Sequence, residues 1–361
     1  MTDISTFFET SLFPTVKALF DDVTDHKMYV TGGLGADGRT EAFGAEYALP
    51  NRAYAETCAA VGGMLWYHRY FLRTGDLRAY DALERTLYNG YLSGVSLSGD
   101  TFFYQNPLVS DGRVQRSAYF DVACCPANLS RLMAELPGLI YAQQGARVYV
   151  NLFIGSDATL TVGGVPVTIS QQTNYPWDGR VTIHVDPARP VRMRLSVRIP
   201  AWTANPTASA LYRFADHNTR PVVVTLNGQP VAHDGAFGAR ASEATAERQW
   251  RKGDVVVIDM PMPVRRVLAN DKVGEDAGKS VIQRGPIVYA LEGVDNGGSV
   301  TDVTIPLDAT LTSTFRPDLL GGVQVVIGKL GDRTMTAIPY YAWNNRGRGE
   351  MEVWVPYNSR P

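Results

Sequence analysis

Three cysteines occur in the 361 residues, and two of them are neighbours, Cys124 and Cys125 in DVACCPANLS. A disulfide between adjacent cysteines strains the peptide that joins them, so these two are poor partners for each other. They can instead reach one metal ion. The third cysteine, Cys58, lies in AETCA, two residues after Glu56. Three thiolates and a carboxylate make four ligands, the number that tetrahedral zinc takes. Two other readings stand beside it: three cysteines buried in a core, where free thiols are common, or a closed structural zinc site.

The metal reading sets a geometric condition. On a regular helix, residues two apart point about 200° away from each other. Glu56 and Cys58 share an ion only if a helix begins between them, and Pro50 and Asn51 just upstream favour such a start. Pro126 and Asn128 likewise place Cys124 and Cys125 at the mouth of a helix. There the free N–H groups and the helix dipole favour a thiolate.

Carboxylates are the other groups able to move protons. Glu41 and Glu46 fall in a Gly-rich loop and Glu84 on a helical stretch; each is as readily a solvated surface charge. Tyr104, in TFFYQNPL, is either a hydrogen-bond donor in a pocket or a packed core aromatic. His68 continues the apolar stripe of its helix and reads as a satisfied core residue. TGGLGADG lacks both the Lys-Ser/Thr ending of a P-loop and the strict G-x-G-x-x-G spacing, which argues against nucleotide binding.

Two textures of sequence must position these groups. Up to about residue 142 the apolar spacing is helical: Leu12, Val16, Leu19, Phe20 and Val23 form one stripe, and Val61, Met64, Leu65, Phe71 and Leu72 a second. LRAYDALERTLYNGYLSGV predicts a third helix. ANLSRLMAELPGLIYA predicts a fourth, which Pro137 kinks or shortens. Between the first two helices runs a long Gly-rich segment, of a kind that is functional or disordered inside a compact domain. From about 147 the period becomes two, in RVYVNLFI, VPVTIS, RVTIHVD and RMRLSVRIP, with Gly163-Gly164 and Asn227-Gly228 as hairpin turns. Strands so short and so regularly spaced predict β-sandwich architecture. The segments expected are 1–142, 143–261 and 262–361.

Composition narrows the partners. Hydrophobic residues make up 45%, charged residues 19%, and the net charge is -2, so neither nucleic acid nor an anionic membrane surface is an expected partner. No run approaches the 18 or so apolar residues of a membrane span. Three cysteines do not make a disulfide framework, and the start lacks a basic n-region and a continuous apolar core. With Met1 as the true start, the expected compartment is the cytoplasm.

Taken together, MYVTGGLGADGRTEAFGAEYALPN, YAETCA, LYNGYLSG, TFFYQNPL and CCPANLSRL resemble the second half of the catalytic domain of family 127 glycoside hydrolases, the β-L-arabinofuranosidases and their relatives. SVRIPAW, QRGPIVYALEG and PYYAWNNRGRGEMEVW resemble that family's β-domains. The resemblance implies an α + β multidomain chain, with the second half of an (α/α)6 barrel followed by β-sandwich domains. It implies removal of terminal β-L-arabinofuranosyl residues from oligosaccharides or glycoconjugates with retention, at Zn2+ held by Glu56, Cys58, Cys124 and Cys125. It makes Cys124 the nucleophile, Glu41 the general acid/base, and Glu84 and Tyr104 residues lining the sugar pocket. Half a barrel leaves apolar helix faces exposed, so an upstream polypeptide completing it and a homodimer through the β-domains are the expected protein partners. The competing expectation is a non-catalytic, glycan-binding remnant of such an enzyme.

Overall fold

The computed structural model describes residues 12–205, 209–233 and 242–357. Among the described residues four α-helices precede the β-rich part: α1 (Leu12–Asp22), α2 (Thr57–Thr74), α3 (Arg78–Arg85) and α4 (Cys124–Glu135). Helix α1 buries Val16 and Phe20, and the Phe20 ring stacks on Tyr70 of α2 with centroids 4.0 Å apart. Helix α2 buries Val61, Met64, Tyr67 and Phe71 and stops at Gly75, whose φ of +70° lets its N–H bond the carbonyl of Phe71 at 2.7 Å. Leu19 and Leu72, expected within the apolar stripes, are exposed (44% and 56%). Each lies at the flank of its stripe, outside the contact between the two helices.

Two breaks in helical geometry have local causes. Helix α3 runs on into a π turn at Thr86–Tyr91, where Asn89 donates to the carbonyl of Pro286 and accepts the N–H of Val288. The turn thereby fastens the helical part to a distant strand. Pro137 shortens the fourth helix rather than kinking it: α4 gives way to a 3-10 turn at Leu136–Leu139, and a strand begins at Tyr141.

The described residues are mostly β, with twenty strands against four α-helices, and the helices do not by themselves close a ring. The expected half barrel is therefore seen only as a layer of helices. A six-stranded sheet carries Ser156–Val162, Val165–Thr173, Arg180–Pro187 and Asp254–Asp259, continued by Val223–Leu226 and Gln229–Pro230. A four-stranded sheet carries Tyr141–Gln144, Arg147–Val150, Val191–Ile199 and Ser242–Trp250. Alternate residues of both sheets, Val167, Ile169, Ile183 and Ile258 from one, Val148, Met193, Leu195 and Trp250 from the other, enter the same core.

A ten-stranded sheet gathers the C-terminal segment. It also takes in Val109–Asp111, paired with Glu350–Glu352, and Tyr212–Phe214, paired with Val264–Ala269. Chain from all three expected segments thus meets in one sheet. Among the described residues no helix is long and apolar enough to cross a membrane.

The long segment between α1 and α2 is folded rather than loose. Gly32 adopts φ +76°, and a Cβ there would lie 2.6 Å from the backbone of Thr86, so glycine permits this close approach. Downstream, Asn51–Glu56 runs antiparallel to Tyr104–Leu108. The N–H of Leu108 bonds the carbonyl of Asn51, that of Asn106 reaches Tyr54 and Ala55, and that of Thr57 reaches Tyr104. This short ladder leads straight into α2.

Candidate metal centre and active site

Glu56 caps α2 in an extended conformation (φ -64°, ψ 138°), so Cys58 sits in the first turn. This is the geometry that lets residues two apart face the same point. Thr57 between them is fully buried; its hydroxyl donates to the carbonyl of Phe103 at 2.7 Å and accepts from Asn106 at 3.0 Å. Cys124 and Cys125 are the first two residues of α4. Two helix entrances therefore converge.

One ligand atom from each of Glu56, Cys58, Cys124 and Cys125 lies within 4.8 Å of all the others. The sulfurs of Cys124 and Cys125 are 3.9 Å apart, and Glu56 Oε1 is 3.8 Å and 3.6 Å from them. With zinc–sulfur bonds of about 2.3 Å, neighbouring sulfurs of a tetrahedral site stand roughly 3.8 Å apart. The cluster has the size and the donor chemistry of a zinc site. Asn128, one turn along α4 from Cys124, donates from Nδ2 to the sulfur of Cys58 at 3.2 Å, a bond that orients this sulfur and favours its anionic form.

Without a cation the four groups oppose one another. Burial pushes the Cys58 thiol up to about 11. Burial, and then the neighbouring Cys58 thiol, hold Cys125 well above the usual thiol range. A divalent cation is the partner that reverses that balance.

Around Cys124 the site opens toward two tyrosines. The hydroxyl of Tyr104 lies 3.2 Å from Cys124 Sγ, and its ring packs edge-on against Phe120. Tyr54, which neighbours Tyr104 with ring centroids 6.4 Å apart, donates its hydroxyl to Glu41 Oε1 at 2.9 Å. Glu41 is exposed and has φ +53°. It sits in a tight turn held by Asp37, which accepts from the N–H of Arg39 and the hydroxyl of Thr40. Glu41, Tyr54, Tyr104 and Cys124 thus form one line of polar groups.

Sequence reasoning missed Tyr54 and Asn128. Ala55, between Tyr54 and Glu56, has φ +37°, so no strand period links the two and spacing carried no signal for Tyr54. Asn128 stands four residues after Cys124 on a helix, so it shares that face, and the helical period was the available signal for it.

Glu84 is held in a buried ion pair. Expected to line the sugar pocket, its carboxylate is 2% exposed and is taken up by Arg198 Nη2 at 2.6 Å and the Tyr175 hydroxyl at 2.7 Å. Arg198, itself fully buried, also bonds Asp81 at 2.8 Å. Glu84 belongs to a buried ion pair where α3 meets the four-stranded sheet, because an arginine buried in that sheet needs an anion. His68 is satisfied as expected, with Nδ1 2.9 Å from the Tyr80 hydroxyl.

A second group, Asp22, His26 and Glu46, also clusters. Lys27 Nζ lies 2.6 Å from Asp22 and already supplies the cation there.

Three family models tile the chain: the beta-L-arabinofuranosidase GH127 catalytic domain over residues 7–138, the GH127 middle domain over 147–262, and the glycoside hydrolase family 127 C-terminal domain over 264–356. The chain is 31% identical to a non-reducing end β-L-arabinofuranosidase of Bifidobacterium longum subsp. longum, a match covering 96% of this chain and 56% of that protein. It superimposes on a solved GH127 β-arabinofuranosidase with a TM-score of 0.93 and 39% identity, covering 99% of this chain and 58% of the other. With a GH127 β-L-arabinofuranosidase from Geobacillus stearothermophilus T6 the TM-score is 0.89 and the identity 38%, over 99% and 58%. The chain thus spans somewhat over half the length of these relatives.

Proposed function

The chain belongs to glycoside hydrolase family 127, and from that membership we propose that it removes terminal β-L-arabinofuranosyl residues with retention, using Cys124 as nucleophile. The observation that carries the reading is the convergence of Glu56, Cys58, Cys124 and Cys125 within 4.8 Å, with Tyr104 on the sulfur of Cys124.

Glu56, Cys58, Cys124 and Cys125 are the residues that would hold zinc. When bound, the ion supplies the positive charge that keeps the sulfurs deprotonated near neutral pH. Every step belongs to the protein's own groups. Cys124 Sγ attacks the anomeric carbon and forms a C–S bond as the glycosidic C–O bond breaks, while Glu41 gives its proton to the departing oxygen. Glu41, now a carboxylate, takes a proton from water, whose oxygen attacks the same carbon and returns the electron pair of the C–S bond to Cys124. Two displacements at one carbon retain its configuration. The nucleophile being sulfur, the carboxylate-separation rule of ordinary retaining glycosidases does not apply.

Tyr104 donates to the Cys124 sulfur and so stabilises it as the leaving group of the second step. Tyr54 holds Glu41 by one oxygen and aims the other. The test is hydrolysis of an aryl β-L-arabinofuranoside, with Cys124→Ala and a chelator as controls. Release of arabinose that both treatments abolish supports the reading; equal turnover by the alanine variant sinks it.

A further inference from the structure

Glu56 enters α2 from a strained backbone. Ala55, immediately before it, has φ +37°, in the left-handed region where a Cβ crowds the neighbouring carbonyl. A residue other than glycine stays there only where its surroundings hold it.

Those surroundings come from two segments. The Gly-rich segment accepts the N–H of Ala55 at the carbonyl of Gly35, 2.9 Å away, and the N–H of Glu56 at the carbonyl of Leu34, 3.2 Å away. A Cβ on Gly33 would lie 2.9 Å from the Cβ of Ala55, so the two stretches meet closely. From the other side comes Asn106, which is buried. Its Nδ2 donates to the carbonyl of Ala55 at 2.9 Å and to the hydroxyl of Thr57 at 3.0 Å. Its backbone N–H also reaches the Ala55 carbonyl, at 3.2 Å.

The partners fix the direction of these bonds. A carbonyl only accepts, and the Thr57 hydroxyl gives its own proton to the carbonyl of Phe103, so both face the amide nitrogen. One NH2 group thus grips the residue before Glu56 and the residue after it. The Oδ1 of Asn106 is buried without a partner, which is unfavourable, so the donor end is what this amide contributes. Asn106 is itself tied down: its carbonyl accepts the hydroxyl of Tyr340 at 3.0 Å, and Tyr340, fully buried, belongs to the C-terminal segment.

We propose that Asn106 is a positioning residue for Glu56. By holding Ala55 in its left-handed conformation and Thr57 in the first turn of α2, it aims the carboxylate at the three sulfurs, and Tyr340 makes the C-terminal segment part of that support. The proposal rests on the reading of Glu56 as a metal ligand; Asn106 acts only through the residues on either side of it.

The test is the zinc affinity of the whole chain, measured by competition with a chromophoric chelator, in a double-mutant cycle of Asn106→Ala and Glu56→Ala. Asn106→Ala alone should weaken zinc about tenfold or more, as loss of a group that orients a ligand does. In the Glu56→Ala background no carboxylate is left to aim, and the same substitution should change affinity by less than about threefold, the two effects being non-additive. If Asn106→Ala does not fold, Thr57→Val carries the same cycle, since it keeps the side-chain shape and removes the hydroxyl that Asn106 grips. Wild-type affinity in the single variant overturns the proposal. So does an equal loss in both backgrounds, which would make Asn106 a support of the fold at large. In both cases the wild-type chain still binds zinc and the metal centre stands; a wild-type chain that binds no zinc would defeat the metal centre itself, and the role of Asn106 with it.

Discussion

Tyr104 touches both sides of the thiol–carboxylate cluster: its hydroxyl lies 3.2 Å from Cys124 Sγ, and its carbonyl accepts the N–H of Thr57, between Glu56 and Cys58, at 3.0 Å. The side chain therefore reaches the sulfur while the backbone fixes the helix start that presents Glu56 and Cys58. Tyr104→Phe separates the two. It keeps the backbone contact, so zinc content should be unchanged, but kcat should fall about tenfold, on the order of one hydrogen bond to a group that carries charge. Loss of zinc from this variant would show that the hydroxyl serves the ligand cage instead.

Tyr54→Phe should expose the role of Glu41. A carboxylic acid that must protonate the departing oxygen matters most for poor leaving groups. The expected loss is about tenfold or more for an alkyl β-L-arabinofuranoside and little for a strongly activated aryl glycoside. Equal losses with both substrates would contradict a positioning role for Tyr54.

Metal binding gives a third prediction. The purified chain should bind one zinc per molecule, and Asn128→Ala, which removes the bond to Cys58 Sγ, should weaken zinc roughly 10- to 100-fold. Metal analysis after dialysis against graded chelator measures it. Unchanged retention would remove Asn128 from the outer shell.

The ion pair at the domain junction is a stability determinant. Glu84→Ala leaves the fully buried Arg198 without its closest anion and Tyr175 without its acceptor. The expected loss is about 3–5 kcal/mol, read from urea unfolding. A loss near zero would mean that Asp81, 2.8 Å from Arg198, suffices alone.

A fifth prediction concerns pH. Burial raises Glu352 to about 7, with Glu350 adding to the rise and Lys279 opposing it. The folded state therefore holds this proton more tightly than the unfolded chain. The contribution to stability is full below about 4.5 and is lost as pH rises through 7, by up to about 3 kcal/mol. Asp276, raised to about 7 chiefly by burial, adds a loss of the same sign. Glu352→Gln should flatten the fall in unfolding free energy between pH 5 and 8. Parallel profiles for wild type and variant would contradict this.

Much of the site was legible in the sequence because its spacing is local. E-x-C demands a helix start between the two residues, and α2 begins there; CCP demands a helix entrance, and α4 begins at Cys124. What the sequence hid depends on distant partners. Arg198, in a strand that alternates apolar and polar residues, gives no sign that it is fully buried and pairs with Glu84. Val109–Asp111 carries no period long enough to reveal that it joins the C-terminal sheet.

The central claim is that Cys124 bonds covalently to the sugar. Its most direct test is rapid acid quench of the zinc-loaded protein during turnover of an activated aryl β-L-arabinofuranoside, followed by peptide mapping. The account predicts one pentosyl unit on the peptide containing Cys124, absent from Cys124→Ala. Turnover with no adduct on that peptide, or with the pentosyl unit on Glu41 or another carboxylate, would contradict it.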